Sequence, residues 1–235
     1  MERCAHEGCD HKRLTKCHCL KHSGDEDLFI ATHRWRQGEP IELRDLVIDE
    51  ASLQRLLSTI ARANADADSA PLSPDRKAEI WSDINFEGAR FVGGANFHGV
   101  VFRKAAYFDH AEFFGRADFG GGEFCDHADF DNARFNAIAS FHGTIFDDHA
   151  GFQNAQFKGA ARFVAAKFRS YVDLEGARFC GLADMREASF QFARRFGRFE
   201  VGDRLQLDHC EFAERTTIEV SAVAISAASL AWQLE

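Results

Sequence analysis

The sequence predicts a mainly β fold, a solenoid of short stacked strands with about 22 residues per coil, an α-helical cap and a small N-terminal Cys/His module. Three observations predict it. Phenylalanines recur at fixed spacing, small residues stand two positions before them, and four of the seven cysteines crowd into residues 4 to 19. The 24 Phe beside only 3 Trp and 2 Tyr have no explanation in ordinary packing, so a period must be selecting one aromatic.

The module occupies residues 1–24. Cys4-x4-Cys9 and Cys19-x2-His22 supply two ligand pairs, with Gly8 permitting a tight turn before the second Cys. Thiolates and an imidazole at this spacing suit tetrahedral zinc, and so short a segment needs the metal to fold. Cys17, His18, His6 and His11 are competing ligands. Four protein ligands would close the site, making the zinc structural. Clustered cysteines suit a reducing compartment better than a disulfide framework does.

Residues 25–83 form a helical cap and linker. Leu53, Leu56, Leu57 and Ile60 follow helical spacing over 49–63, with Asp49 as N-cap, and the apolar face is expected to cover the open first coil. A polar linker follows. Ser73-Pro74 then begins a short helix predicted to end near Trp81, which packs on the first coil.

Residues 84–235 form the rod. Steps of alternately five and six residues from Phe86 to Ile218 give 25 positions, of which 20 are Phe; the others are Leu174, Met185, Val201, Leu207 and Ile218. Two residues earlier stands Ala at fifteen of the 25. Side chains two apart on extended backbone share a face, so anchor and small residue look inward and the residue between looks out. Helix is excluded by recurrent Gly beside the anchors, at about 1 kcal/mol each inside a helix. One 11-residue unit has two faces and cannot enclose a core. Two units have four, which makes six coils and a rod of roughly 30 Å. The small-residue rule decays from Arg194 onward, predicting an irregular end.

Segments such as Ala128-Asp-Phe-Asp-Asn-Ala-Arg-Phe135 and Ala150-Gly-Phe-Gln-Asn-Ala-Gln-Phe157 resemble the pentapeptide-repeat family, in its Phe-rich eleven-residue variant found in actinobacterial members. The resemblance covers about residues 84 to 223 and implies a right-handed, four-sided parallel β-helix. That variant often begins with a similar Cys/His segment, which supports Cys4, Cys9, Cys19 and His22 as the ligands.

Function follows from charge and from absent motifs. A net charge of -9 argues against binding nucleic acid by phosphate neutralisation. No 18-residue apolar stretch or signal core is present, so the chain reads as soluble and cytoplasmic, with no membrane partner. No phosphate-binding loop, G-x-S-x-G or H-E-x-x-H occurs, and a Phe-filled core leaves no interior pocket. The expectation is a non-enzymatic scaffold for an unidentified protein partner. The alternative, from the resemblance, is an acidic DNA mimic that inhibits or protects a type II topoisomerase. Against it, the 21 Asp+Glu of residues 84–235 read as interspersed with 16 Lys+Arg. Asp126-His127 and Asp148-His149, one coil apart, are expected to stack on one corner. The uncapped end at Ala231–Glu235 leaves three expectations: pairing with a partner, an end-to-end dimer with a second copy through the C-terminal coil, or a chain that is a fragment.

Overall fold

The computed structural model describes Ala5 and residues 20–64, 78–192, 195–214 and 216–226. Over residues 84–190 the chain runs in short strands, each in parallel register with the strand 22 residues further on. Ala106 pairs with Ala128, Glu112 with Arg134, Ala117 with Ala139 and Glu123 with Ile145. Four strands per coil make four sides, numbered here in that order, and the rod is a β-solenoid.

Phenylalanine fixes this coil. Every anchor from Phe86 to Phe190 is buried, as are the alanines two positions before them. Phe91, Phe113, Phe135, Phe157 and Phe179 form one inner column, with successive ring centroids 4.7 Å apart and planes within 4°. That spacing is the strand spacing, so each ring rides on its own strand. Columns of the opposite first and third sides meet edge to face across the axis, as in Phe108 and Phe119 at 5.4 Å and 84°. Such pairs add about 0.5–1.5 kcal/mol each beyond burial.

The two step lengths make two kinds of corner. In a five-residue step, Ala133 N–H donates to the Phe130 carbonyl at 3.1 Å and Asn132 has φ 58°, a β-turn with its third residue left-handed. The six-residue steps absorb their extra residue in open bends. At one of these, a Cβ on Gly115 would fall 2.0 Å from the Gly93 carbonyl oxygen, so successive coils touch through backbone there.

The strand ladder begins upstream of the Phe register. Helix α1 (Asp25–Arg36) is followed by β1 (Ile41–Glu42), β2 (Val47–Asp49), α2 (Glu50–Ala63) and β3 (Glu79–Ile80). β1 pairs with Ile84–Asn85, β2 with Arg90–Val92 and β3 with Val101–Phe102. Ile41 and its partner Ile84 are 43 residues apart instead of 22, an insertion of 21 residues that contains α2. The helix stands where the third-side strand would be. Asp49 caps it by accepting from Ser52 N–H at 2.8 Å, and Leu53, Leu56, Leu57 and Ile60 are buried. The Gln54 amide donates at 2.9 Å to the carbonyl of Asn96, on the otherwise open edge of that side. The amphipathic segment therefore caps the solenoid as its pattern predicts.

The short helix predicted to end near Trp81 is corrected at its described end. Glu79–Ile80 is strand, because Ile80 completes the fourth side beside Phe102. Ser73 and Pro74 lie outside the described residues. Trp81 is half exposed, with the Arg103 guanidinium 5.4 Å from its ring centre. Near the other end, Leu174 and Met185 interrupt two Phe columns. The strand Arg195–Gln206 then turns a corner and joins the second and third sides into one sheet. Its pairing with the strand Thr217–Ser226 slips between Gly197 and Phe199 and between Val201 and Arg204, which is the expected irregular end. Residues 227–235, which bear on the end-to-end dimer, are outside the described residues.

Phe130→Ala, in mid-column, is expected to destabilise the rod by about 3–5 kcal/mol. Phe212→Ala, partly buried in the last coils, is expected to cost clearly less. Chemical denaturation of both variants checks the difference.

Candidate functional site

Outward residues acquire meaning when read coil by coil. The first-side segments 83–87, 105–109, 127–131, 149–153 and 171–175 hold seven Asp or Glu and no Lys or Arg. Four coil steps separate the first from the last, about 19 Å along the rod. The other sides carry both signs and form ion pairs. On the second, Arg90 faces Glu112 at 3.7 Å and Arg178 faces Glu200 at 3.4 Å. On the third, Arg116 meets Asp118 at 2.8 Å; at the edge of the fourth, Arg169 meets Asp147 at 2.8 Å. On the first, cations reach only the ends, Arg44 on Glu87 and Arg198 on Glu175. Among the described residues, Asp109, Asp129, Asp131 and Asp173 have no Lys or Arg ion pair.

These carboxylates are held by backbone. Asp129 Oδ1 accepts from Asp131 N–H at 2.8 Å, Asp131 Oδ1 from Gln153 N–H at 2.7 Å, and Asp173 Oδ1 from Glu175 N–H at 2.9 Å. Burial, together with neighbouring carboxylates, raises the proton affinity of Asp131 and Asp109. Burial, then the neighbouring Asp129, pushes the Asp131 carboxyl up to about 6, although the Gln153 N–H opposes the shift. Asp109 is raised by burial and by Asp129. The Tyr107 and Tyr171 phenols are raised by burial and by the surrounding carboxylates.

Beside the stripe, His127 and His149 stack as the 22-residue spacing predicts, with ring centroids 4.9 Å apart and planes at 11°. Tyr171 continues the stack at 5.3 Å from His149. Burial and the adjacent His127 push the His149 imidazole below the usual histidine range.

Of the predicted zinc ligands, Cys4, Cys9 and Cys19 lie outside the described residues, as do the competitors His6, His11, Cys17 and His18. His22 is described and half-buried. Two residues before it Leu20 is buried, and its carbonyl accepts from the Arg55 guanidinium of α2. A separate cluster brings ligand atoms of Glu123, Cys125 and Asp147 within 4.8 Å of one another. Arg103 lies 3.5 Å from Cys125 Sγ and Arg169 already pairs with Asp147, so a cation there would meet two guanidinium groups. Among the described residues Cys125, Cys180 and Cys210 are free thiols, the last half-buried and pushed up to about 12 by desolvation.

The repeat geometry agrees with comparison to known families: the model described as pentapeptide repeats (9 copies) matches residues 97–145 and 141–189. Residues 97–189 of the rod are pentapeptide repeats. No curated protein and no solved structure matches the chain. No helix among the described residues is long and apolar enough to cross a membrane. The acidic side of the pentapeptide-repeat rod escaped a linear reading, which found acids and bases interspersed. Reading every twenty-second residue separates them.

A carboxyl whose folded pKa is raised binds more protons folded than unfolded between about pH 4 and 6, so its contribution to stability falls as pH rises through that window. Asp131→Asn keeps an acceptor for Gln153 N–H and removes the charge. It is expected to stabilise the protein by about 1 kcal/mol at pH 7.5, after allowance for solvent screening, and to do little at pH 4. Denaturation curves at the two pH values check this.

Proposed function

We propose that the protein is a non-enzymatic interaction scaffold whose rod docks a basic partner along its first side, with a structural zinc module at its N-terminus. The observation that carries the docking is the run of first-side carboxylates without Lys or Arg pairs. Like charges kept together cost the fold stability, and a basic partner would recover that cost. A core filled by phenylalanine leaves the outer surface to provide function. The same stripe favours a second reading, an acidic DNA mimic acting on a type II topoisomerase, because it gathers acids without bases on one side where the linear charge count suggested a mixed surface.

Neutralising the stripe with Asp109→Asn, Asp129→Asn, Asp131→Asn and Asp173→Asn preserves shape and the amide or carbonyl acceptors. Binding of an octalysine probe is expected to weaken about tenfold or more and to fall with salt. Asp118→Asn with Asp147→Asn, on other sides, is expected to leave it within about twofold. Equal binding by both variants would remove the first side as the docking surface. Stoichiometric inhibition of gyrase supercoiling, lost in the fourfold variant, would promote the mimic.

For the module, Cys4, Cys9, Cys19 and His22 are assigned to one zinc ion. The anchoring of Leu20 on α2 supports a folded segment leading into it. Elemental mass spectrometry is expected to find about one zinc per chain, lost in a Cys4→Ser, Cys9→Ser variant. Metal-free protein purified under reducing conditions would end the assignment.

A further inference from the structure

The zinc module accounts for neither of the two histidines stacked on the rod. The Nδ1 atoms of His127 and His149 are 3.1 Å apart and share a hydrogen bond whose donor depends on the tautomer, so a metal ion between them would take the place of that proton. Two nitrogens bound to one tetrahedral metal at about 2.0–2.1 Å each stand roughly 3.3 Å apart, so the pair already has the bite of a chelate. The ladder enforces it, since Ala128 and Ala150, the residues that follow the histidines, are direct Cα partners in adjacent strands.

A second observation concerns the opposite edge of a ring. His127 Nε2 lies 3.7 Å from Asp129 Oδ2, beyond hydrogen-bond distance but near enough for the carboxylate to favour positive charge on that ring. Asp126 and Asp148 flank the pair, each with Oδ1 accepting from the N–H of the adjacent histidine, at 2.8 and 2.7 Å. These hydrogen bonds fix the backbone that carries both rings. Acidic neighbours also raise the local concentration of cations.

We propose that His127 and His149 form a two-histidine site for a borderline divalent metal ion, of the Zn²⁺, Ni²⁺ or Cu²⁺ class, on the outside of the rod. Imidazole donors select this class over Mg²⁺ and Ca²⁺, which take oxygen ligands. Both rings bind through Nδ1, with the Asp129 carboxylate on the Nε2 side of His127. With two protein ligands the remaining positions are open to water or to a side chain of a docked partner, so the site is exchangeable and distinct from a closed structural zinc.

The test is a Cu²⁺ titration of the full chain in the Cys4→Ser, Cys9→Ser background, followed by electron paramagnetic resonance, with circular dichroism to show that the rod is folded. Cu²⁺ is the probe because such sites bind it most tightly. One equivalent with hyperfine coupling to two nitrogens is expected, lost in both His127→Gln and His149→Gln and retained in His142→Gln, on another corner. Asp129→Asn is expected to weaken binding by about tenfold without removing a nitrogen. Absence of the two-nitrogen signal from folded protein, or its persistence in the His127→Gln, His149→Gln double variant, would overturn the site.

Discussion

Everything on this rod depends on stacking identical rings at the strand repeat. A phenylalanine at each inward anchor stacks on the next at centroid spacings of 4.5 to 5.0 Å, close to the distance at which parallel strands exchange backbone hydrogen bonds. Side-chain packing and backbone pairing thus favour the same rise per coil. The alanine beside each anchor removes volume that the four columns would otherwise contest. Where Leu174 and Met185 replace the ring, the columns lose their stacking partners, and within a coil the backbone departs from regular register. Phe196, Phe199 and Phe212 then meet edge to face in place of long stacks.

A coil of constant length turns the surface into columns. Residues 22 apart lie side by side, so charge is sorted by position within the coil and not by position along the chain. The second side uses this to alternate Arg and Glu, which pairs its charges at 3.4 and 3.7 Å. The first side does the opposite. Its carboxylates stand beside one another, and the consequence is measurable in Asp131, whose proton affinity rises with burial and with Asp129 as neighbour. A fold that pairs charges on its other three sides has no physical need to leave the middle of the first side without basic partners.

The rod was legible because its signal repeats: 20 Phe in 25 positions are enough to separate inward from outward residues along the chain. The helix over residues 49–63 was legible for the same reason, an apolar face with a capping Asp49. What escaped is what repeats only in space. Ile41 and Ile48 enter the ladder 43 residues before their partners, and a two-residue strand such as Glu79–Ile80 carries no periodicity at all. Local propensity favoured helix there, and an open sheet edge won. The acidic stripe was hidden because linear charge counting mixes the four sides. The histidine stack, tied to two Asp-His pairs one coil apart, was not.

The backbone contacts of the first side also bear on how it would bind. An exposed carboxylate ordinarily loses rotamer freedom when it engages a partner, and that loss offsets much of a surface ion pair. Here one oxygen of Asp129, Asp131 and Asp173 is already tied to a backbone N–H of the same or the next coil. The ordering is done on folding, by the same turns that close the corners. The residues that stabilise the rod locally are therefore those that present its charge, at fixed height and fixed spacing. A binding surface made this way is rigid, and it discriminates among basic partners by the spacing of their charges along the rod.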